Sequence, residues 1–195
     1  MFVRGFKSWC ENVAVQQRRQ LGLGAADPLE ARVFADHLGA EIRLVEDVPG
    51  LSPDCLKVLL QEDGESWSAV TISGESKDII ILNTSHAPGR LSSNLMHELS
   101  HILIGHEPAR IDLTEEGSLM LSTYDKKQEA EADWLAGCLL LPRDALFAIK
   151  RRGLDSGEAA RLYGTSVEML TYRINVTGIQ YQFSRMRRFR ANSST

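Results

Sequence analysis

The segment Leu95-Met-His-Glu-Leu-Ser-His-Ile-Leu-Ile104 constrains this chain more than any other. Leu95, Met96, Leu99, Ile102, Leu103 and Ile104 are too many apolar residues for one face of a surface helix. The segment therefore reads as a core helix, spanning Arg90 to Ile104 and stopped by Gly105. Polar groups inside such a helix need partners. Four residues separate His97 from His101, about 400° of helical rotation, so both rings leave the same face one turn apart. Two imidazoles so placed can hold one zinc ion. Glu98 lies about 100° further round, beside the ion rather than on it, where its carboxylate can take a proton from a metal-bound water. A chance H-E-x-x-H on a solvated helix would lack these apolar flanks.

A catalytic site needs a third protein ligand and an open position. The long histidine form of the motif would place Gly three and His six residues after His101, but Ile104 and Glu107 stand there. Gly105 and His106 thus read as the end of the helix. The better source is Gln128-Glu-Ala-Glu-Ala-Asp133, on a helix that Asp125 can cap and that runs to Leu140 before Pro142. Glu129 can be the third ligand. Asp133, one turn later, can accept the second N–H of a ligating histidine and fix its tautomer. Glu131, on the other side of the helix, is the fallback ligand. Read alone, Lys126, Lys127, Glu129 and Glu131 are a solvated charged face; the upstream motif turns the balance to a ligand. An apolar stripe of Ala130, Trp134, Leu135 and Cys138 is expected to bury this helix.

The remaining elements read as α+β. A helix over 6–21 presents Phe6, Trp9 and Val13. Asp27-Pro28 is expected to open a second helix, ended by Gly39. Strands are read over 41–45, 67–73, 78–83 and 119–122, with a short helix over 53–61. The strand Asp78–Asn83 is a rim on which an extended peptide could pair. Helices over 143–152, 156–163 and 166–175 follow, then a basic stretch over 181–195 expected to fray. The expected organisation is residues 1–150 as the main domain, 151–180 as a small helical segment and 181–195 as a basic tail.

The net charge of −4 conceals an asymmetry. Residues 1–142 carry 12 basic and 22 acidic side chains, whereas 143–195 carry 10 and 4. The basic end is either a solvated tail or a surface for an anionic partner. Glu158 to Ile174 has the look of a helix-turn-helix, with Gly164 in the turn and Ser166 capping the second helix. That helix offers Glu168, Thr171, Tyr172, Arg173 and Asn175, a thin set for reading bases. Packing or partner-docking helices are favoured, and nucleic-acid binding stays open. Arg185, Arg187, Arg188 and Arg190, with Phe183 and Phe189 between them, could clamp phosphates or an acidic protein surface. No apolar run reaches the ~18–20 residues of a membrane helix, and the N-terminus has no signal-peptide core. Three scattered cysteines without C-x-x-C fit neither a disulfide framework nor a cysteine zinc site, so a cytoplasmic protein is expected.

Together, Trp67-Ser-Ala, Asn83 closing an apolar strand, Arg90, His97-Glu-Leu-Ser-His-Ile-Leu-Ile-Gly-His106, Glu129 to Pro142 and Tyr163 to Ile174 are a familiar set. Over roughly residues 27–180 the chain resembles the ImmA/IrrE family of zinc metallopeptidases. The resemblance implies a minimal thermolysin-like zincin fold, a small sheet packed on the active-site helix, with helix-turn-helix-like helices after it. It implies that His97, His101 and Glu129 bind one Zn2+ ion (Mn2+ being able to substitute in vitro) and that Glu98 is the catalytic base. It also implies an endopeptidase that cleaves a helix-turn-helix (Xre-type) repressor and so relieves repression. Trp134-Leu135 departs from the family's frequent Phe at the second position, an exchange between large apolar residues. The chain is expected to end before any sensor-like third domain. Two other readings stand beside this one: a regulator that docks a repressor with little or no turnover, and a DNA-binding protein acting through its basic end. Tyr124, His106 and His86 are the candidates for a second oxyanion donor.

Overall fold

The computed structural model describes residues 2–74, 77–107, 111–113, 119–121 and 125–192, the side chains of 73, 111–113, 119–121 and 187–192 excepted. Two helices come first, α1 (Phe6–Gln20) and α2 (Ala31–Leu38). The buried face of α1 is Phe6, Cys10, Ala14, Gln17 and Arg18, while Trp9 is 42% exposed. The expected Trp9–Val13 stripe is thus rotated, because small Cys10 and Ala14 let the helix axis approach its neighbour. α2 starts later than Asp27-Pro28 predicts. The Asp27 carboxylate instead accepts the Gly24 N–H at 2.7 Å in a turn, and Leu29 runs into the core.

Next come β1 (Glu41–Leu44), a 3-10 turn (Val45–Asp47), α3 (Pro53–Lys57) continuing as a π turn (Val58–Glu62), β2 (Ala69–Ser73) and β3 (Asp78–Leu82). The sheet order is β1-β3-β2. β1 runs parallel to β3, with Glu41 opposite Ile79, and β2 antiparallel to it, with Ala69 opposite Leu82. This corrects the expectation that Asp78–Asn83 forms a rim. β3 is central and paired on both sides, and β2 is the edge. The physical reason is that hairpin pairing with β2 satisfies only one hydrogen-bonding edge of β3, and β1, from far upstream, takes the other.

α4 (Pro88–Ile104) begins with proline in its first turn and stops at Gly105, whose φ is 77°. A hairpin of β4 (Ile111–Leu113) and β5 (Leu119–Leu121) leads to α5 (Lys126–Leu140), whose N-cap Asp125 accepts the Lys127 N–H at 2.7 Å. Then follow α6 (Arg143–Arg152), α7 (Ser156–Leu162), α8 (Val167–Thr177) and α9 (Ile179–Asn192). Of the basic stretch, α9 covers the residues as far as Asn192, and the last three residues of the Asn-Ser-Ser-Thr end expected to fray lie outside the described residues.

This is an α+β fold in which α4 packs against α2, the sheet and α5, and α5 also against α1 and α8. Ile80, Leu82, Leu95, Met96 and Leu99 fill the centre with Leu135 and Leu139. From Trp134 to Leu140 every residue of α5 is buried, so it is wrapped rather than striped, and Ala130 is exposed. Two buried arginines close the end of α5. Arg18 donates from Nη2 to Leu139 O at 2.7 Å and from Nε to Asp27 O at 2.9 Å. Arg173 donates from Nε to Leu141 O at 3.1 Å and from Nη2 to Glu11 Oε1 at 2.6 Å. Both satisfy carbonyls that a helix end leaves without partners. Arg173 is fully buried, so it does not stand on the outer face of the helix-turn-helix-like pair.

Candidate metal centre

The second half of α4 meets the first turns of α5, and their polar residues converge there. His97 Nε2 is 3.2 Å from Glu129 Oε2, and His101 Nε2 is 3.0 Å from His97 Nε2 and 3.6 Å from Glu129 Oε1. One donor atom from each of His97, His101 and Glu129 lies within 4.8 Å of the others. On the far side of the rings, His97 Nδ1 is 2.8 Å from Asp133 Oδ1 and His101 Nδ1 is 2.9 Å from His106 Nδ1.

This arrangement fits a divalent cation. A ring that gives its Nδ1 proton to a neighbour presents a bare Nε2 lone pair. Two such lone pairs facing a carboxylate repel unless a positive charge sits among them. Two imidazole nitrogens and one carboxylate oxygen are a donor set suited to zinc. With protons alone, His97 carries the positive charge. Burial opposes this, but hydrogen bonds with Asp133 and Glu129 outweigh it and raise the His97 pKa to about 10. Burial, then the charge of His97, lowers His101 to about 4. The hydrogen bond from His97 holds the Glu129 carboxyl below its ordinary range against partial burial.

Glu98 lies beside this cluster. Burial raises its carboxyl above the usual range, opposed by a hydrogen bond from the Thr71 hydroxyl to Oε2 and by the charge of His97. Thr71 stands on the edge strand β2, so the carboxylate of α4 is tied to the sheet.

The structure therefore brings together His97, Glu98, His101, Glu129 and Asp133. It separates Glu131 from them. That side chain lies behind His106, Oε2 3.4 Å from its Nε2, with Lys127 Nζ 3.7 Å from Oε1. Glu131 is thus corrected as a fallback ligand, since residues two apart on a helix point about 200° apart. Both ring nitrogens of His86 are engaged, Nε2 with Gly64 O at 3.1 Å and Nδ1 with Asn94 Nδ2 at 3.3 Å. Tyr124 lies outside the described residues. Asn83 is fully buried and donates from Nδ2 to Gly64 O at 2.7 Å and Trp67 O at 2.9 Å. Trp67 Nε1 donates to Leu59 O at 2.8 Å. These residues fasten the loop that leads into β2, and Arg90 reaches Glu65 at 2.5 Å.

Sequence reasoning missed two contacts. Thr71 carries no signal before the sheet order is known. His106 does: a glycine that ends a helix in the left-handed region returns the next residue towards the last turn.

The sequence pattern of the IrrE N-terminal-like domain, Peptidase_M78, matches residues 58–175, which include α4, α5 and the strands β2 and β3. The chain belongs to this family. No curated protein matches it. Among solved structures, a Mycobacterium tuberculosis transcriptional regulator aligns at 15% identity and a TM-score of 0.49, over 89% of this chain and 47% of that one. The chain thus spans about half the length of that regulator. No helix among the described residues is long and apolar enough to cross a membrane.

Proposed function

We propose that this chain is a zinc-dependent endopeptidase that cleaves a helix-turn-helix (Xre-type) repressor and so relieves repression. The observation that carries the reading is the convergence of His97, His101 and Glu129 within 4.8 Å, with the half-buried Glu98 carboxylate beside them. The repressor as substrate rests on the family resemblance.

His97, His101 and Glu129 would hold the ion. What bound zinc supplies is Lewis acidity towards a water and a carbonyl oxygen. Every other part belongs to the chain. Asp133 keeps the His97 ring oriented and its tautomer fixed. Thr71 occupies Oε2 of Glu98, leaving Oε1 to receive a proton from the attacking water. Burial raises the basicity of that carboxylate, and Glu98 then returns the proton to the leaving amine. An extended peptide can be held by main-chain pairing with β2, whose second edge pairs with no strand among the described residues.

The test incubates purified protein with Zn2+ or Mn2+ and a candidate repressor, beside Glu98→Gln. Cleavage by the wild type and an intact repressor with the variant support the reading. A tight complex with an uncut repressor under all metal conditions sinks it in favour of docking without turnover. Direct base reading through α8 has little to work with. Arg173 is buried, Thr171 donates to Val167 O at 2.8 Å, and Glu168, Tyr172 and Asn175 are exposed, which leaves Asn175 as the one exposed amide and no exposed cation on this helix.

A further inference from the structure

We propose that His106 is a positioning residue for the metal centre: it accepts the Nδ1 proton of His101 and is itself anchored by Glu131, so that His101 is held with its Nε2 lone pair bare. The inference rests on the metal-centre reading above and assigns a role that the H-E-x-x-H motif does not contain.

The argument begins with the backbone. Gly105 takes φ 77° and ψ 38°, a left-handed conformation that glycine adopts without steric cost. The His106 N–H then donates to His101 O at 3.0 Å and the Gly105 N–H to Ile102 O at 3.1 Å. This bond pair is a Schellman motif, in which the residue after the glycine is folded back over the residue five positions earlier. Those two residues usually make an apolar contact. Here they are His106 and His101, with ring centroids 4.9 Å apart and planes at 67°, so one ring addresses the other edge-on. The sequence His101-Ile-Leu-Ile-Gly105-His106 thus builds an imidazole pair out of a helix stop.

Proton counting then fixes the tautomers. His101 Nε2 faces His97 Nε2 at 3.0 Å and Glu129 Oε1 at 3.6 Å, the side on which a cation would sit. A ligating imidazole must be neutral with a bare nitrogen, so the His101 proton is on Nδ1. Its partner there is His106 Nδ1 at 2.9 Å, which must therefore be the acceptor. The His106 proton is then on Nε2, and the group facing it is the Glu131 carboxylate at 3.4 Å. The His106 and Glu131 side chains are 6% and 11% exposed, so water does not readily replace either contact. The two histidine ligands thus have unequal supports. His97 leans directly on Asp133, which is 59% exposed, whereas His101 leans on a buried carboxylate through one intervening ring.

The test compares His106→Asn, which keeps an acceptor near the position of Nδ1, with His106→Phe, which keeps a planar ring and removes it. Zinc affinity of the metal-stripped full chain is measured by competition with a chromophoric chelator, and the visible spectrum of the Co2+ form reports ligand geometry. Loss of an outer hydrogen-bond partner typically costs ~10–100-fold in metal affinity, and that loss is expected for His106→Phe, with a changed Co2+ spectrum. His106→Asn is expected to retain most of the affinity and the wild-type spectrum. A purely packing role reverses the order, so affinity kept by Phe and lost by Asn overturns the proposal. Nitrogen NMR of the zinc-loaded wild type needs no variant: His106 must carry its proton on Nε2, and a proton on Nδ1 overturns the proposal. Failure of the wild type to bind zinc at all sinks the metal-centre reading itself, and this inference with it.

Discussion

Gly137→Ala sets packing against helix propensity. Gly137 lies within α5, where alanine is favoured over glycine by about 1 kcal/mol. An added Cβ would stand 2.6 Å from Arg173 Cδ and 3.3 Å from Cγ, with Met169 Sδ at 3.4 Å. Carbon atoms pack best at about 3.5–4.0 Å, so the arginine stem must retreat by about 1 Å. It has nowhere neutral to go. Its guanidinium is fully buried and tied to Leu141 O and Glu11 Oε1, so a retreat stretches bonds that no water replaces. Overpacking costs about 1–3 kcal/mol, and a charged hydrogen bond contributes about 1.5–3 kcal/mol. After the propensity gain, the net expectation is a loss of about 2–5 kcal/mol. For a chain of this size that lowers Tm by on the order of 5–15 °C. Urea unfolding followed by circular dichroism should show a lower midpoint with an unchanged slope. In Arg173→Met the same glycine change should cost much less, because the two side chains share one space. An unchanged or higher midpoint for Gly137→Ala in the wild-type background refutes the reasoning.

Three further outcomes follow from the same geometry. Asp133→Asn leaves His97 Nδ1 without its anionic acceptor, so zinc affinity should fall ~10–100-fold in a chelator competition, and equal affinity would refute its orienting role. Thr71→Val removes the donor that opposes the burial-driven rise of the Glu98 carboxyl. The carboxyl then goes higher still, and since the base must be ionised, the acidic limb of kcat/KM on a quenched peptide should move to higher pH; an unmoved or lower limb speaks against the contact. Arg18→Met strands the carbonyl of Leu139 in the interior and removes the part-buried bond to Asp27 O, and chemical denaturation should report a loss of about 1–3 kcal/mol, whereas a neutral result would mean that water reaches the Leu139 carbonyl.

What could be read from the sequence divides along a physical line. Relations within one helix were legible, because the helical period alone sets the angle between His97, Glu98 and His101. Glu129 was set before Glu131 because Asp133 lies one turn later on the same face, where it can support a histidine ligand. Relations between elements were not legible. The hairpin signal shows that β2 and β3 pair, but nothing near Asp78–Asn83 announces that β1 closes its other edge, since Glu41 meets Ile79 from far upstream. The edge strand was therefore misplaced, and with it the Thr71 contact to Glu98. On α1, weighing residues by apolar size favours Trp9, whereas close approach of two helices favours Cys10 and Ala14. His106 lies between these cases: its glycine is local, yet its meaning depends on the residue five positions back.

The charge asymmetry shows why counting misleads about partners. Residues 143–195 hold 10 basic side chains and 4 acidic ones, but a count treats every arginine as surface. Arg173 is wholly internal and paired with Glu11, while Arg143 donates to Thr177 O at 3.1 Å and to Gln182. Arg173 ties α8 to α1 and to the end of α5, and Arg143 ties α6 to α8 and α9. Lys150, Arg151 and Arg152 occupy the last turn of α6, where cations offset the negative end of the helix dipole. Asp155 and Glu158 sit at the start of α7 in a capping box, the mirror of that preference. Much of the positive excess thus has a structural use that requires no anionic partner. α8 in particular exposes Glu168, Thr171, Tyr172, Asn175 and Val176 but no cation, its one arginine, Arg173, being turned inward, so the charge count of this segment overstates the positive charge on that helix.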